Sequence, residues 1–104
     1  MEKTSSKRRF SDDELLNKSI KLRGTTWHLI KLAEECNELS AAILQWITKQ
    51  APVENILAEV GDVELSMAAL QKIFGDNGRL LIDKSKEDKQ LRVEKKIIEL
   101  EARA

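Results

Sequence analysis

The strongest constraint on the fold is an apolar pattern that occurs twice along the chain, each time with a pair of carboxylates beside it. Glu35 and Glu38 are three residues apart, and Glu59 and Asp62 repeat that spacing 24 residues later. Apolar residues recur around each pair at every third or fourth position, which is typical of one face of an α-helix. They are Leu29, Leu32, Cys36, Leu39, Ile43 and Trp46 in the first segment, and Val53, Ile56, Val60, Val63, Met67 and Leu70 in the second.

The short connection at residues 48–52 predicts how these carboxylates meet. Short loops join helices that run antiparallel. If the two apolar faces pack together in that orientation, both carboxylate pairs lie along the same edge of the helical hairpin. Measured from Gln50, the pairs are about 13 and 10 residues away, a difference of less than one turn at roughly 1.5 Å per residue. We therefore expect all four carboxylates to converge, with Glu34 close by.

Convergent carboxylates repel one another, and the repulsion grows as they are buried. A divalent cation would offset it, and Mg²⁺ prefers oxygen ligands while keeping waters and substrate phosphates in its shell. The alternative is that these are ordinary solvated acids on the flanks of two helices, which is the common case for a single pair. Two pairs in one register favour a metal-phosphate site.

The series Glu34, Glu35, Glu38, followed after twenty residues by Glu59 and Asp62, resembles the signature of the all-α nucleoside triphosphate pyrophosphohydrolases. That group includes MazG, the dimeric dUTPases and the dCTP pyrophosphatases, and the short MazG-like proteins are the most similar. The resemblance spans about residues 25 to 98. It implies an all-α, four-helix MazG-like bundle completed by dimerisation, as a homodimer or a dimer of dimers.

The resemblance also implies an activity and a role for each acid. The activity is Mg²⁺-dependent hydrolysis of a nucleoside triphosphate to the monophosphate and pyrophosphate, with Mn²⁺ as a substitute ion. The metal ligands would be Glu35, Glu38, Glu59 and Asp62, and Glu34 would orient or activate the attacking water, with Glu38 as its rival. A deoxynucleotide substrate and a house-cleaning role in the nucleotide pool are expected. The base stays open, because the base-recognition residues of better-known relatives do not align clearly.

Basic residues supply candidate phosphate contacts. Lys89, Arg92 and Lys96 are spaced by three and four, so they form one cationic stripe that suits phosphate oxygens. The stripe is equally typical of a solvated face paired with Glu94 or Asp88. Lys31 precedes Glu35 by one helical turn, where it either contacts phosphate or offsets the acidic cluster.

Helix boundaries follow from capping signals. Ser11 and Glu14 form a capping box that begins a first helix ending at about Arg23. Gly24 interrupts the chain, Thr25 or Thr26 can cap a second helix that reaches about Thr48, and Pro52 suits the first turn of the third. The glycines of residues 75–78 end the third helix. Ser85 is a possible cap for a fourth, whose core residues are Leu91, Val93, Ile97, Ile98 and Leu100.

Composition fits a single soluble domain at residues 11–104, preceded by a flexible basic tail at residues 1–10. No apolar run approaches the roughly 20 residues that span a membrane, and with one cysteine no internal disulfide forms. A cytoplasmic protein without membrane or nucleic-acid partners is therefore expected. Cys36 is predicted to be a buried small hydrophobe, and His28 to have a packing or hydrogen-bonding role. A single histidine also excludes the paired Glu-x-x-His motifs of di-iron bundles.

Two other functions stay open. The chain could be a non-catalytic helical interaction or regulatory module with the same fold, which predicts no metal binding and no turnover. A weaker alternative is DNA binding through the basic tail, although that function needs a longer or more clustered basic surface. Either tryptophan, or Phe10, could stack on a nucleobase, but the pattern favours Trp46 in the core or a dimer interface.

Overall fold

The computed structural model describes residues 7–104, and this part of the chain is helical apart from short connections. It contains α1 (Asp12–Arg23), α2 (Thr25–Ile47) and α3 (Glu54–Arg103), and no strand lies within the described residues. The predicted all-α class is confirmed. The chain divides into a first compact unit that ends at Ile73 and a second from Phe74 to Ala104.

The start of α1 follows the predicted capping box. The backbone N–H of Glu14 donates to Ser11 Oγ at 3.1 Å, and the backbone N–H of Ser11 donates to Glu14 Oε1 at 3.0 Å. Acidic residues occupy the first turn and basic residues the last, which suits the helix dipole. Of the predicted tail, residues 1–6 lie outside the described residues, and residues 7–10 are non-helical. Within them, Arg8 forms an ion pair with Asp12.

Gly24 joins α1 to α2 in one residue. Its backbone angles, φ 90° and ψ 165°, belong to a region that is essentially limited to glycine. The backbone N–H of Gly24 donates to the carbonyl oxygen of Ile20, and α2 begins immediately at Thr25 with no side-chain cap. The predicted cap at Thr25 or Thr26 is therefore wrong, because so tight a turn already places both threonines inside the helix.

Residues 48–53 connect α2 to the first part of α3, with Lys49 at a positive φ of 62°. In α2 the buried residues are His28, Glu35 and Ala42, and Ala69 is the buried residue of α3. Each buried residue of α2 comes one position before a residue of the predicted apolar stripe. The buried face is therefore rotated by about 100° around the helix axis from the predicted face that contains Cys36.

This rotation corrects the prediction for Cys36, which is exposed. Two small residues, Ala42 and Ala69, are the buried apolar side chains among residues 7–104. Bulkier members of the predicted stripe are partly exposed in the single chain, namely Leu29, Ile43, Trp46, Val53 and Met67. Sequence periodicity identifies an apolar face, but it does not determine which part of that face packs within one chain.

The interruption of α3 at Gly75 lies where the sequence predicted the third helix to end, but the predicted cap at Ser85 is wrong, because Ser85 lies inside the helical segment that follows. Only Gly75 leaves helical geometry inside α3, with φ 64° and ψ −155°, and the helix resumes directly after it. The polar residues that follow are good helix formers. Ion pairs one turn apart support them: Arg79 with Asp83 at 2.8 Å and Lys84 with Asp88 at 3.1 Å.

The second unit is the helical segment after this interruption. From Asp83 to its end every residue is exposed, including Leu91, Ile97 and Ile98. The segment therefore has no core of its own.

Within residues 7–104, no helix combines the length and the apolar character that crossing a membrane requires.

We predict opposite effects for two glycine substitutions in α3. Gly75→Ala should lower the free energy of unfolding by about 1–3 kcal/mol, because alanine is strained in the backbone conformation of Gly75. Gly61 has helical geometry, and an added Cβ there meets nothing within 4 Å. Gly61→Ala should therefore raise the free energy of unfolding by roughly 0.5–1 kcal/mol. Urea denaturation measures both, and equal effects of the two substitutions would contradict the interruption at Gly75.

Candidate functional site

The structure brings the four predicted carboxylates together in the first unit. Glu35 interacts electrostatically with Glu38 on its own helix and with Asp62 on α3. Glu59 interacts with Asp62 on its own helix and with Glu38 on α2. Glu35 thus faces Asp62 while the later Glu38 faces the earlier Glu59. This order is the one expected of two antiparallel helices.

The surroundings raise the pKa of Glu35 above the ordinary value of a glutamate. Burial is the largest cause, since only 7% of the residue is exposed. The next causes are a hydrogen bond that protonated Glu35 donates to Glu38, and repulsion by Glu38 and Asp62. The ammonium of Lys31, 4.0 Å from Glu35 Oε1, acts in the opposite direction. Lys31 therefore offsets part of the negative charge, as the sequence suggested.

The pKa of Glu59 is raised in the same way. Partial burial is the largest cause, followed by a hydrogen bond to Asp62 and by repulsion from Glu38 and Asp62. Each helix thus carries one glutamate whose charged form is disfavoured by neighbours on both helices. The predicted mutual repulsion is present in the folded chain.

The donor set fits a hard divalent cation, because all four side chains offer carboxylate oxygens and two of them already have raised proton affinity. In their present rotamers, no three His, Cys, Asp or Glu side chains of residues 7–104 form a group that could hold one ion.

A cavity of about 550 Å³ opens beside three of the four carboxylates, and Glu59 is not part of its lining. This volume is within the usual range for small-molecule sites. Its polar lining comprises Ser19, His28, Lys31, Glu35, Glu38, Asp62 and Ser66. Its apolar lining comprises Leu15, Leu16, Trp27, Leu65 and Ala69. All three helices of the first unit contribute, so the carboxylates form one part of a larger concave site.

His28 is the second buried polar residue of this cavity, with 6% of its surface exposed. Its Nε2 lies 3.1 Å from the hydroxyl oxygen of Ser19 on α1. The Trp27 ring packs against it edge to face, with centroids 4.9 Å apart. The sequence indicated a hydrogen-bonding role for His28 but missed its place in the cavity. It also missed Leu15, Leu16 and Ser19, because their contribution depends on how α1 folds back beside α2.

Glu34 is exposed on α2 and does not line the cavity, whereas its rival Glu38 does. Lys89, Arg92 and Lys96 belong to the second unit, where all three are exposed. The predicted alternative partner Asp88 pairs with Lys84 instead, and Lys96 lies 3.9 Å from Glu99.

Comparisons with protein-family models, with curated proteins and with solved structures found no match to this chain. The chemistry of the site therefore has to be inferred from its own residues.

The raised pKa values predict a pH-dependent effect of removing each charge. Folded Glu35 and Glu59 bind protons more tightly than the unfolded chain does, so their contribution to stability is fully present below the ordinary glutamate pKa and is lost as pH rises through the raised values. Without divalent cations, Glu35→Gln and Glu59→Gln should therefore raise the Tm at neutral pH. The gain should disappear in acid.

The matched control is Glu64→Gln, an exposed glutamate of α3 outside the cavity lining. It should leave the Tm nearly unchanged across the same pH range. Calorimetry of the three variants and the parent protein measures these shifts. A lower Tm for both Glu35→Gln and Glu59→Gln at neutral pH would show that the cluster stabilises the fold in its charged form.

Proposed function

We propose that this protein is a Mg²⁺-dependent nucleoside triphosphate pyrophosphohydrolase of the MazG-like type. The observation that supports the proposal is the approach of four carboxylates from two antiparallel helices, of which Glu35, Glu38 and Asp62 line a ligand-sized cavity. The substrate is a nucleoside triphosphate, with a deoxynucleotide expected, and the role is house-cleaning of the cytoplasmic nucleotide pool. Mn²⁺ is a substitute ion.

The metal ligands in this proposal are Glu35, Glu38, Glu59 and Asp62. A divalent cation held by these residues would supply Lewis acidity toward phosphate oxygens. A water would attack the α-phosphorus, the bond from that phosphorus to the α–β bridging oxygen would break, and pyrophosphate would leave with the bridging oxygen. A glutamate accepts the water's proton. Glu38 suits this step better than Glu34, because Glu38 lines the cavity and Glu34 does not.

Cationic side chains are proposed as phosphate contacts in each unit separately. Lys31 lines the cavity next to Glu35, so its ammonium is placed both to reduce carboxylate repulsion and to contact a phosphate oxygen. Lys89, Arg92 and Lys96 are proposed as further phosphate contacts from the exposed cationic stripe of the second unit.

We also propose that the active form is a homodimer or a dimer of dimers, in which the four-helix bundle is completed. The support is the small core of the single chain. Its buried apolar residues within 7–104 are two alanines, while Trp46, Ile47 and Leu57 are about half exposed or more. Chains of this size with so little buried apolar area commonly depend on oligomerisation.

The activity is tested with pure protein, Mg²⁺ and a panel of ordinary, deoxy and modified nucleoside triphosphates. At least one should yield the monophosphate and pyrophosphate, and Glu59→Gln should lower kcat/KM by about 100-fold or more, since even outer-shell changes at metal sites cost roughly 10- to 100-fold. Glu64→Gln is the control and should retain full activity. If no triphosphate releases pyrophosphate and Glu59→Gln behaves like the parent protein, the enzyme proposal is wrong.

The cationic stripe gives a separate prediction. Arg92→Ala should raise KM for the triphosphate by about tenfold or more, because one charge-assisted contact contributes roughly 1.5–3 kcal/mol and 1.4 kcal/mol corresponds to tenfold. Lys95→Ala changes an exposed neighbour outside the proposed stripe and is the matched control. Steady-state kinetics at fixed free Mg²⁺ measures both, and equal KM values would assign the stripe to an ordinary solvated face.

The alternative is a non-catalytic helical interaction or regulatory module. The exposed apolar side chains of both units favour a partner surface, and that surface is compatible with either function. The two proposals differ in metal binding. The enzyme requires a Tm that rises with Mg²⁺ in the parent protein and much less in Glu59→Gln, whereas the interaction module requires no response in either.

A further inference from the structure

We propose that the end of the cavity formed by α1 and the start of α2 binds the nucleobase of the substrate, and that the Ser19–His28 pair hydrogen-bonds to its polar edge. The inference rests on the proposed function, since it deepens the same site by assigning the substrate's base to particular residues. The assignment comes from the lining of one continuous cavity, which has carboxylates at one end and a tryptophan, a histidine and a serine at the other.

The length of the cavity suits a nucleotide. Along α2, the step from His28 to Glu35 and Glu38 is seven to ten residues, or roughly 10–15 Å at the helical rise. The residue order along the antiparallel α3 is consistent with this length, because Asp62 lies at the carboxylate end and Ala69 lines the cavity towards the other end. This span is comparable to the reach from a base across its sugar to the phosphates. A triphosphate held at the carboxylates would therefore place its base near Trp27 and His28.

The chemistry of the far end also suits a base. Small-molecule sites combine apolar walls with a few well-placed polar groups. Leu15, Leu16 and Trp27 provide the walls, and the Ser19–His28 pair provides the polar group. The guanidinium of Arg23 lies over the Trp27 ring, 4.2 Å from its centroid, and holds the ring against α1. An aromatic or planar ligand gains contact area from such a wall.

The hydrogen-bonded pair can discriminate between bases. A serine hydroxyl has one donor and two acceptor positions. The contact to His28 uses one of them, so the hydroxyl retains hydrogen-bonding capacity in either imidazole tautomer. Ser19 and Trp27 both contact the ring of His28 and hold it in place. The pair therefore presents its hydrogen-bonding groups to a ligand from a defined position. A base with the complementary edge is accepted, and one without it leaves a buried polar group unpaired.

The kinetic test compares Ser19→Ala and His28→Asn with the parent protein on triphosphates of the four common bases and on inorganic tripolyphosphate. For the preferred base, KM should rise about three- to tenfold with little change in kcat, so the preference among bases shrinks. Any binding or turnover of tripolyphosphate should stay constant, because it has no base. Ser40→Ala changes an exposed serine of α2 outside the cavity and should leave the preference intact.

A merely structural role of Ser19 and His28 would weaken all substrates alike, tripolyphosphate included, and that result would overturn the proposal. Ser19→Ala removes only a hydroxyl, so it keeps the test valid if the buried His28 proves intolerant of change. Unchanged selectivity in Ser19→Ala, with hydrolysis intact, would also overturn the base site while leaving the proposed activity standing.

A binding test separates the base site from the activity. Nucleosides without phosphate are titrated into the full chain while tryptophan fluorescence is recorded with correction for ligand absorbance. The quench should be lost in Trp27→Phe and kept in Trp46→Phe, whose tryptophan does not line the cavity. Quenching that depends on Trp27, without hydrolysis of any triphosphate, would support the base site and overturn the proposed activity. Absence of binding by every nucleoside would overturn the base site.

Discussion

Repulsion among the carboxylates of α2 and α3 is the physical constraint on which the rest of this structure depends. Glu35 is buried with Asp62 opposite it, and Glu38 and Glu59 repeat the arrangement closer to the connection between the helices. A fold selected for stability alone would place apolar side chains there. The antiparallel hairpin instead maintains a concentration of negative charge, which is useful where a cation and a phosphate chain have to be bound together.

The negative charge lies at one end of the cavity. Lys31 and the carboxylates lie at one end, and the contact between His28 and Ser19 links α1 to α2 at the other. An ion pair between Lys72 and Asp13 also joins α1 to α3 within the first unit. The short first helix buries none of its own residues, yet it supplies part of the cavity wall. The polar contacts of α1 lie beside the part of the site that would distinguish one ligand from another.

Local features were predictable because they depend on neighbours in sequence. The capping box at Ser11, the break at Gly24 and the antiparallel approach of the carboxylates follow from short-range spacing, and the structure contains all three. The start of the helical segment after Gly75 was not predictable in this way. Ser85 was a possible cap, but helix-forming residues with pairs such as Arg79–Asp83 begin the segment directly after Gly75.

The sequence by itself determined the helical class, the two amphipathic segments and the register that lets Glu35 and Glu38 meet Glu59 and Asp62, because periodicity and loop length fix which positions share a face. Only the tertiary structure decided how far each helix is rotated about its axis. In the folded chain Ala42, Ala69 and Glu35 are buried, whereas Cys36 is exposed. The tertiary structure also brought Ser19 to His28, since a contact between two helices depends on the turn between them and on side-chain volume, which no repeat in one segment encodes.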